Sequence, residues 1–389
     1  VLRFLIKRTL SGILVLGIFL FVMFLLIEWL IPGDIATPFR LSMTADELEE
    51  FRRAFGLDRA LPIRFWFWLK LFVQHGWGQT TFGGASSLGD AIAPTLVVFV
   101  LGIGIAYLFG GWLGRWTGWR RDLAADGVTF LGIATYTLFP PFLGFLLIYH
   151  LGDNVFTVRS WFLDETRNQL WMRAGEMGID RQSTMWNIVI TVLVAALVIG
   201  AIASFASRHR NWRILGMPLF LGTALLSYGY WLVRGTTDFA VDILFAASLP
   251  LIGFILLSYG EFLLVMQTSM IGVVHEDYVL VARAKGLAPR LVRDRHAGRT
   301  ALLPLLSRFA VSLPYLVTGL VIIERAVGWP GLGSLLFRAV EAQDMPLVMD
   351  ALALLGLLTL VVRLILEVST AALDPRLRRP VGAKGTARS

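Results

Sequence analysis

An all-α polytopic membrane protein of about eight transmembrane helices, with both termini in the cytoplasm, is the fold class this sequence predicts. Three observations predict it. Of 389 residues, 56% are hydrophobic without counting the 38 glycines, whereas ordinary globular chains reach roughly 45–50% with glycine included. Apolar runs of about 18 residues or more, long enough to cross a bilayer as helices, recur along the chain. These runs are continuous rather than alternating, so helices and not barrel strands satisfy the backbone in lipid.

The spans fall near 9–31, 92–114, 124–149, 187–206, 214–233, 241–266, 301–323 and 347–371. The first follows Arg3, Lys7 and Arg8 like a signal-anchor, ends at Pro32-Gly33-Asp34, and is read as retained. An extracytoplasmic segment, 32–91, comes next. In it TADELEEFRRAFGL starts a helix with Thr44 as N-cap and Glu47 three residues on, and Gly56 stops it. The aromatic PIRFWFWLKLFVQHGWG then suits the membrane interface. Spans two and three occupy 92–150. Residues 150–186 are mixed in charge and irregular, 373–389 is a cytoplasmic tail, and its end, RRPVGAKGTARS, reads as disordered.

Charge orients the spans. One set of connections holds Arg3/Lys7/Arg8, Arg115/Arg120/Arg121, Arg208/Arg210/Arg213, six Lys/Arg in the loop 271–300, and five in the tail. That is 20 of 35 Lys/Arg, with few acids among them. The positive-inside rule puts this set, and both termini, in the cytoplasm. The formal charge of +8 is absorbed in the same way, and no nucleic-acid partner is expected. With no cysteine, disulfides and thiolate chemistry are excluded. The five His are scattered without HExxH, and no GxSxG elbow occurs, so neither metal catalysis nor a serine nucleophile is indicated. None of the four lysines completes GxxxxGK[ST], so the chain carries no phosphate-binding loop of that form.

The loop 271–300 stands out. Residues 275–285 favour helix, Gly286 can take the left-handed conformation that closes one, and Pro289 suits the start of another. This predicts a helix, a Gly stop, a short helix, and then a span from Ala301. Physically it is either a docking element for a partner's groove or a solvated positive loop.

Its residues also carry a resemblance. Asp277-Tyr278-Val279, Ala282-Arg283-Ala284-Lys285-Gly286-Leu287, Arg295-His296-Ala297 and Ala301-Leu302-Leu303-Pro304 resemble the cytoplasmic loop of ABC-transporter permeases of the dipeptide/oligopeptide type. Other pieces are similar in the same order. They are Pro32-Gly33-Asp34, Gly56-Leu57-Asp58-Arg59 with Leu61-Pro62, Pro94-Thr95-Leu96, and Phe139-Pro140-Pro141-Phe142 with Gly144. Glu324 with Trp329-Pro330-Gly331-Leu332-Gly333, and Leu373-Asp374-Pro375-Arg376, complete the set. The resemblance implies one of two permeases of an ATP-driven importer for peptides or similar solutes. Its partners would be a second homologous permease, two cytoplasmic ATPases that bind ATP and Mg, an extracytoplasmic solute-binding protein, and lipid. It implies no cofactor and no catalytic activity in this chain.

The implied coupling residues are Asp277, Tyr278, Ala282, Arg283, Ala284, Lys285, Gly286, Arg293, Arg295 and His296. Tyr136, Pro140, Pro141, Tyr315 and Glu324 are candidates for the path. The family has six spans. Residues 151–239 therefore read as an insertion with an extra hairpin, and 240–372 as core helices. Gly298 replaces the usual Leu, and Ala288 a Ser cap. A secondary transporter or channel without an ATPase is the alternative. Of the ionisable residues in or near spans, Glu28 and Glu261 are expected to reach the interface, Arg308 to snorkel to the cytoplasm, and Arg363 and Glu367 to pair at i,i+4. Gly102, Gly104, Gly110, Gly111 and Gly114 are expected to permit tight helix contacts.

Overall fold

The computed structural model describes residues 2–30, 44–54, 58–74, 88–120, 122–152, 175, 178–206 and 217–373. All regular structure among them is helical: α1 Leu2–Leu30, α2 Ala45–Ala54, α3 Leu61–Gln74, α4 Leu88–Trp119, α5 Leu123–Thr137, α6 Pro140–Leu147, α7 Arg181–Ala206, α8 Met217–Arg234, α9 Thr237–Ala246, α10 Ser248–Val273, α11 Asp277–Ala284, α12 Gly298–Val327, α13 Leu332–Glu341 and α14 Met345–Leu373. The tail, Pro32-Gly33-Asp34, Gly56 and most of 151–180 lie outside the described residues.

Six described helices are long and apolar enough to cross a membrane, and a seventh candidate is the bent pair Leu123–Thr137 with Pro140–Leu151. Two expected spans are divided. The span at 124–149 bends by 105° between α5 and α6, where Pro140 and Pro141 remove two backbone donors and Phe139 is extended at φ −67, ψ 119. The span at 241–266 breaks at Ala247. There Pro250 cannot donate to the carbonyl of Ala246, and the Ser248 hydroxyl donates to Phe245 O instead. The span at 214–233 is α8, which is not among the six.

The chain forms two compact units. One comprises Val1–Ile92 with Pro330–Ile365. In it α1 and α14 run antiparallel: Gly12 faces Leu360 and Gly356 faces Leu16. Leu20, Phe24, Met349 and Ala353 form its core, against which Phe65, Trp68 and Phe72 of α3 pack. Trp68 Nε1 donates to Asp350 Oδ1 at 2.9 Å. Glu28 lies at the end of the first span. It takes Arg64 of α3 at 2.7 Å, with both side chains largely buried. The capping box forms as expected: Thr44 N–H donates to Glu47 at 2.8 Å. That bond, with the Thr44 hydroxyl, holds the Glu47 carboxyl below its ordinary value.

The other unit, Ala93–Trp329 with Leu366–Ser389, is organised around α10. Helix α4 runs parallel to α10, with Gly110, Gly114 and Gly118 stacked on Tyr259, Leu263 and Gln267. A Cβ at Gly110 would sit 2.5 Å from Tyr259 O and 2.9 Å from Phe262 Cβ. Of the glycines expected to pack, Gly102, Gly110 and Gly114 do, Gly111 only reaches Leu305, and Gly104 has nothing within 4 Å. Helix α5 is antiparallel to α10: Gln267 Nε2 donates to Thr129 Oγ1 at 2.9 Å, and Gly260 lies on Gly132. Helix α12 is antiparallel as well, with Leu257 on Gly319 and Ile323 on Gly253.

Trp329 is fully buried. Its indole donates to Pro94 O at 3.0 Å, and its backbone N–H donates to Glu324 O at 2.9 Å. Gly328, at φ 77, makes the left-handed turn that aims it. Trp329→Ala is expected to cost about 3–5 kcal/mol, read as a lowered thermal midpoint of the detergent-purified protein.

Candidate functional site

Two regions of the larger unit collect the predicted residues. The first is the loop that follows α10. Helix α11 starts at Asp277, and its Lys285 and Gly286 N–H groups donate to Val281 O and Arg283 O. Gly286 is left-handed, φ 73, as its position required. Val279 and Ala282 of α11 are buried, as are Val292 and Ala297 of the segment that α11 packs against. The sequence predicts a separate short helix before the next span. Instead Pro289–Leu291 runs through a π-helical turn, Val292–Ala297, straight into α12. Ala288 makes no side-chain cap, and the first turn is closed by Leu291 N–H and Val292 N–H on Ala288 O.

The outer face of α11 is exposed: Asp277, Arg283, Ala284 and Lys285 are open, with Tyr278, Leu280 and Val281 beside them at 40–52% exposure. An exposed apolar strip flanked by cations is a surface suited to a partner. Tyr278 OH also donates to Thr300 Oγ1 at 3.0 Å. Arg295 is exposed and His296 half-buried. Arg293 pairs with its neighbour Asp294 through two bonds of 2.7 and 2.9 Å.

Sequence reasoning missed how this loop is tied to α4. The Arg283 guanidinium lies 4.7 Å above the Trp119 ring, within the range of a cation–π contact. Gly298 is where a side chain would collide: a Cβ would meet Arg293 O at 2.9 Å and Arg115 Cδ at 3.2 Å. Arg115 of α4, bonded to Gly111 O at 3.2 Å, fills the space that a leucine there would need. Arg115 and Trp119 are one helical turn apart at a span end, which is the signal that could have found them.

The second region is the outward face of α12. Ser307, Arg308, Val311, Tyr315 and Thr318 are exposed at helical spacing, while Leu305, Leu313, Leu316 and Leu320 are fully buried. Exposed faces elsewhere are apolar, such as Leu225, Leu226, Leu232 and Val233 on α8, or Val361, Ile365 and Val368 on α14. Lipid accepts those faces; it does not readily accept a guanidinium.

Tyr315 lies beside Tyr136 of α5, ring centroids 6.0 Å apart and planes tilted by 57°. Pro140 and Pro141 are half-buried at the bend beyond Tyr136. Glu324 is fully buried under Trp329 and does not share this surface. Glu261 is not near a helix end. It lies in the middle of α10, where Arg308 Nε donates to its Oε1 at 3.0 Å. Arg308 therefore reaches sideways rather than snorkelling. No group of three or more His, Cys, Asp or Glu able to hold a metal exists among the described residues.

Comparison with known proteins agrees along the chain. The family described as binding-protein-dependent transport system inner membrane component matches residues 106–379, and the N-terminal membrane component of such systems matches 1–100. The oligopeptide transport system permease protein OppB of Mycobacterium tuberculosis is 27% identical over 325 residues, covering 83% of this chain and 82% of that protein. The glutathione transport system permease protein GsiC of Pectobacterium atrosepticum is 25% identical over 386 residues, covering 97% and 99%. GsiC of Escherichia coli O1:K1 is 24% identical over 393 residues with the same coverage.

Proposed function

The chain belongs to the binding-protein-dependent transport system inner membrane components, as a permease subunit of an ABC importer in the cell membrane, and we propose that it forms half of a path for peptides or similar small solutes. The 277–298 loop takes its drive from a separate ATPase. The observation that carries this is α11: a short helix closed by Gly286, exposing Tyr278, Leu280, Val281, Arg283 and Lys285. Its inner face rests on the turn that runs unbroken into α12. A push on α11 is thereby delivered to a span as a rigid lever. The Arg283–Trp119 contact would carry the same push to α4.

The tyrosines Tyr136 and Tyr315, with the bend at Pro140 and Pro141, belong to the path, along with the polar face of α12. Peptide cargo is favoured because the relatives are named for oligopeptide and glutathione transport. Two ATPases, a second permease and a solute-binding protein complete the assembly; ATP and Mg belong to the ATPases.

Eight spans with both termini in the cytoplasm remain the reading, with α8 as the return limb of α7. In support, α7 and α8 pair antiparallel, Trp231 Nε1 donating to Thr191 Oγ1 at 3.1 Å and Gly222 facing Ile199. Their outward faces are apolar, Leu193, Leu197, Leu225 and Leu232 among them, so the hairpin of 151–239 is proposed to lie at the periphery against lipid. Tagged chain taken from its native membrane in mild detergent is expected to bring an ATPase with a phosphate-binding loop and a second permease, identified by mass spectrometry. Recovery of the chain alone would overturn the importer mechanism in favour of a self-contained transporter.

A further inference from the structure

We propose that Arg308, held by Glu261, is a station for a carboxylate on the solute, so that the cargo is a short chain with a free carboxyl end. The proposal rests on the reading that the polar face of α12 lines the path.

Glu261 is almost wholly enclosed, its side chain 4% exposed, while that of Arg308 is 51% exposed. One guanidinium N–H, on Nε, is spent on Glu261 Oε1. The Arg308 side chain makes no other hydrogen bond among the described residues. Its two Nη groups are therefore free to make the planar two-bond fork that fits a carboxylate. The other oxygen of Glu261 is buried, with Ser312 supporting the carboxylate beside it. A buried carboxylate so poorly solvated is sustained by the cation next to it, and in return it fixes where that cation points.

The pair also sets the strength of the site. Glu261 offsets part of the charge of Arg308, so an arriving carboxylate meets a fixed donor fork with a reduced positive charge. A transport path needs binding favourable enough to admit cargo and weak enough to release it. Tyr315, seven residues on along the same face, lies about 10 Å from Arg308 at the helical rise, beside Tyr136. Extended peptide covers that distance in about three residues. The two aromatic rings offer apolar surface with hydroxyl tips, suited to the body of a short peptide whose carboxyl end rests on Arg308.

The chain has no cysteine, so Val311→Cys places a single thiol in it. Val311 is 69% exposed and one turn from Arg308. The assembled importer in membrane vesicles is treated with an anionic sulfonatoethyl or a cationic trimethylammonium-ethyl methanethiosulfonate, and label is read on this chain alone.

Relative to each reagent's rate with a free thiol in solution, the anionic reagent is expected to be favoured, and Arg308→Gln to lower the anionic-to-cationic rate ratio by about tenfold. Arg308→Lys should largely keep the ratio, and Glu261→Gln should raise it. Acetate, at ionic strength matched with chloride, should slow the anionic reagent only while Arg308 is present. If neither reagent labels, α12 does not line a wet path and the underlying reading fails. If both label and the ratio ignores Arg308, the path stands and the carboxylate station falls. Should Arg308→Gln not assemble, acetate competition on the Val311→Cys chain decides: no slowing overturns the proposal.

Discussion

Gly286→Pro is expected to release the ATPase and abolish transport while leaving the chain in the membrane with its partner permease. The reason is conformational. Gly286 sits at φ 73, and proline is fixed near −65°. The substitution also removes the N–H that Gly286 donates to Arg283 O at 2.9 Å. Nothing lies within 4 Å of where a Cβ would be, so the damage cannot be steric crowding. The turn must open, and α11 then loses its placement against the segment 292–297. A graded series separates this from a general loss of structure. Asparagine, which tolerates the left-handed region, should retain most coupling. Alanine should cost about 1–2 kcal/mol at the turn and lower uptake in part. Copurified ATPase and solute uptake into proteoliposomes should fall together in the order Asn, Ala, Pro. Proline behaving like asparagine would refute the role given to the turn.

The left-handed turn at Gly286 was legible in the sequence, because a glycine after a good helix former and shortly before a proline suits a helix stop. Apolar runs likewise revealed most of the membrane helices, since burial in lipid imposes length and composition directly. Breaks within runs were harder. Pro140 and Pro141 announce a break but not a 105° bend, and Pro250 divides a stretch whose hydrophobicity continues without pause. Helix ends were harder still. With the sixth span drawn to stop at 266, Glu261 looked like an interfacial residue. In fact α10 continues to Val273, which puts Glu261 at mid-helix opposite Arg308.

Tertiary partners were not legible at all. Nothing in the neighbourhood of Gly298 says that Arg115, far away in the chain, occupies the space beside it. The face of α12 is an intermediate case. Ser307, Arg308, Tyr315 and Thr318 recur at helical spacing and could have been read as a polar stripe. What the sequence lacked was the knowledge that the opposite face is wholly buried, which turns a scatter of polar residues into a surface.

Gly110→Ala is expected to destabilise the protein, and Gly110→Leu to prevent its accumulation, whereas Gly104→Ala on the same helix is expected to be neutral or stabilising. Both glycines lie in α4 in an apolar setting, so helix propensity acts equally on the two and favours alanine by up to about 1 kcal/mol. Only the neighbours differ. At Gly104 the Cβ enters space with nothing within 4 Å. At Gly110 it meets backbone, Tyr259 O at 2.5 Å and Leu263 N at 3.1 Å. Backbone cannot rotate away as a side chain can. Helices α4 and α10 must therefore separate, which also loosens the contacts at Gly114 and Gly118 below. Overpacking of this kind typically costs about 1–3 kcal/mol for a small increment and more for a bulky one. Between helices in lipid, close packing is a principal attraction, because the hydrophobic effect no longer distinguishes helix contact from lipid contact. The loss is thus not offset by any gain in apolar burial. Thermal midpoints of the detergent-purified variants, with membrane abundance for Gly110→Leu, measure the difference. Equal midpoints for Gly104→Ala and Gly110→Ala would mean that α4 does not lie on α10 in the folded protein.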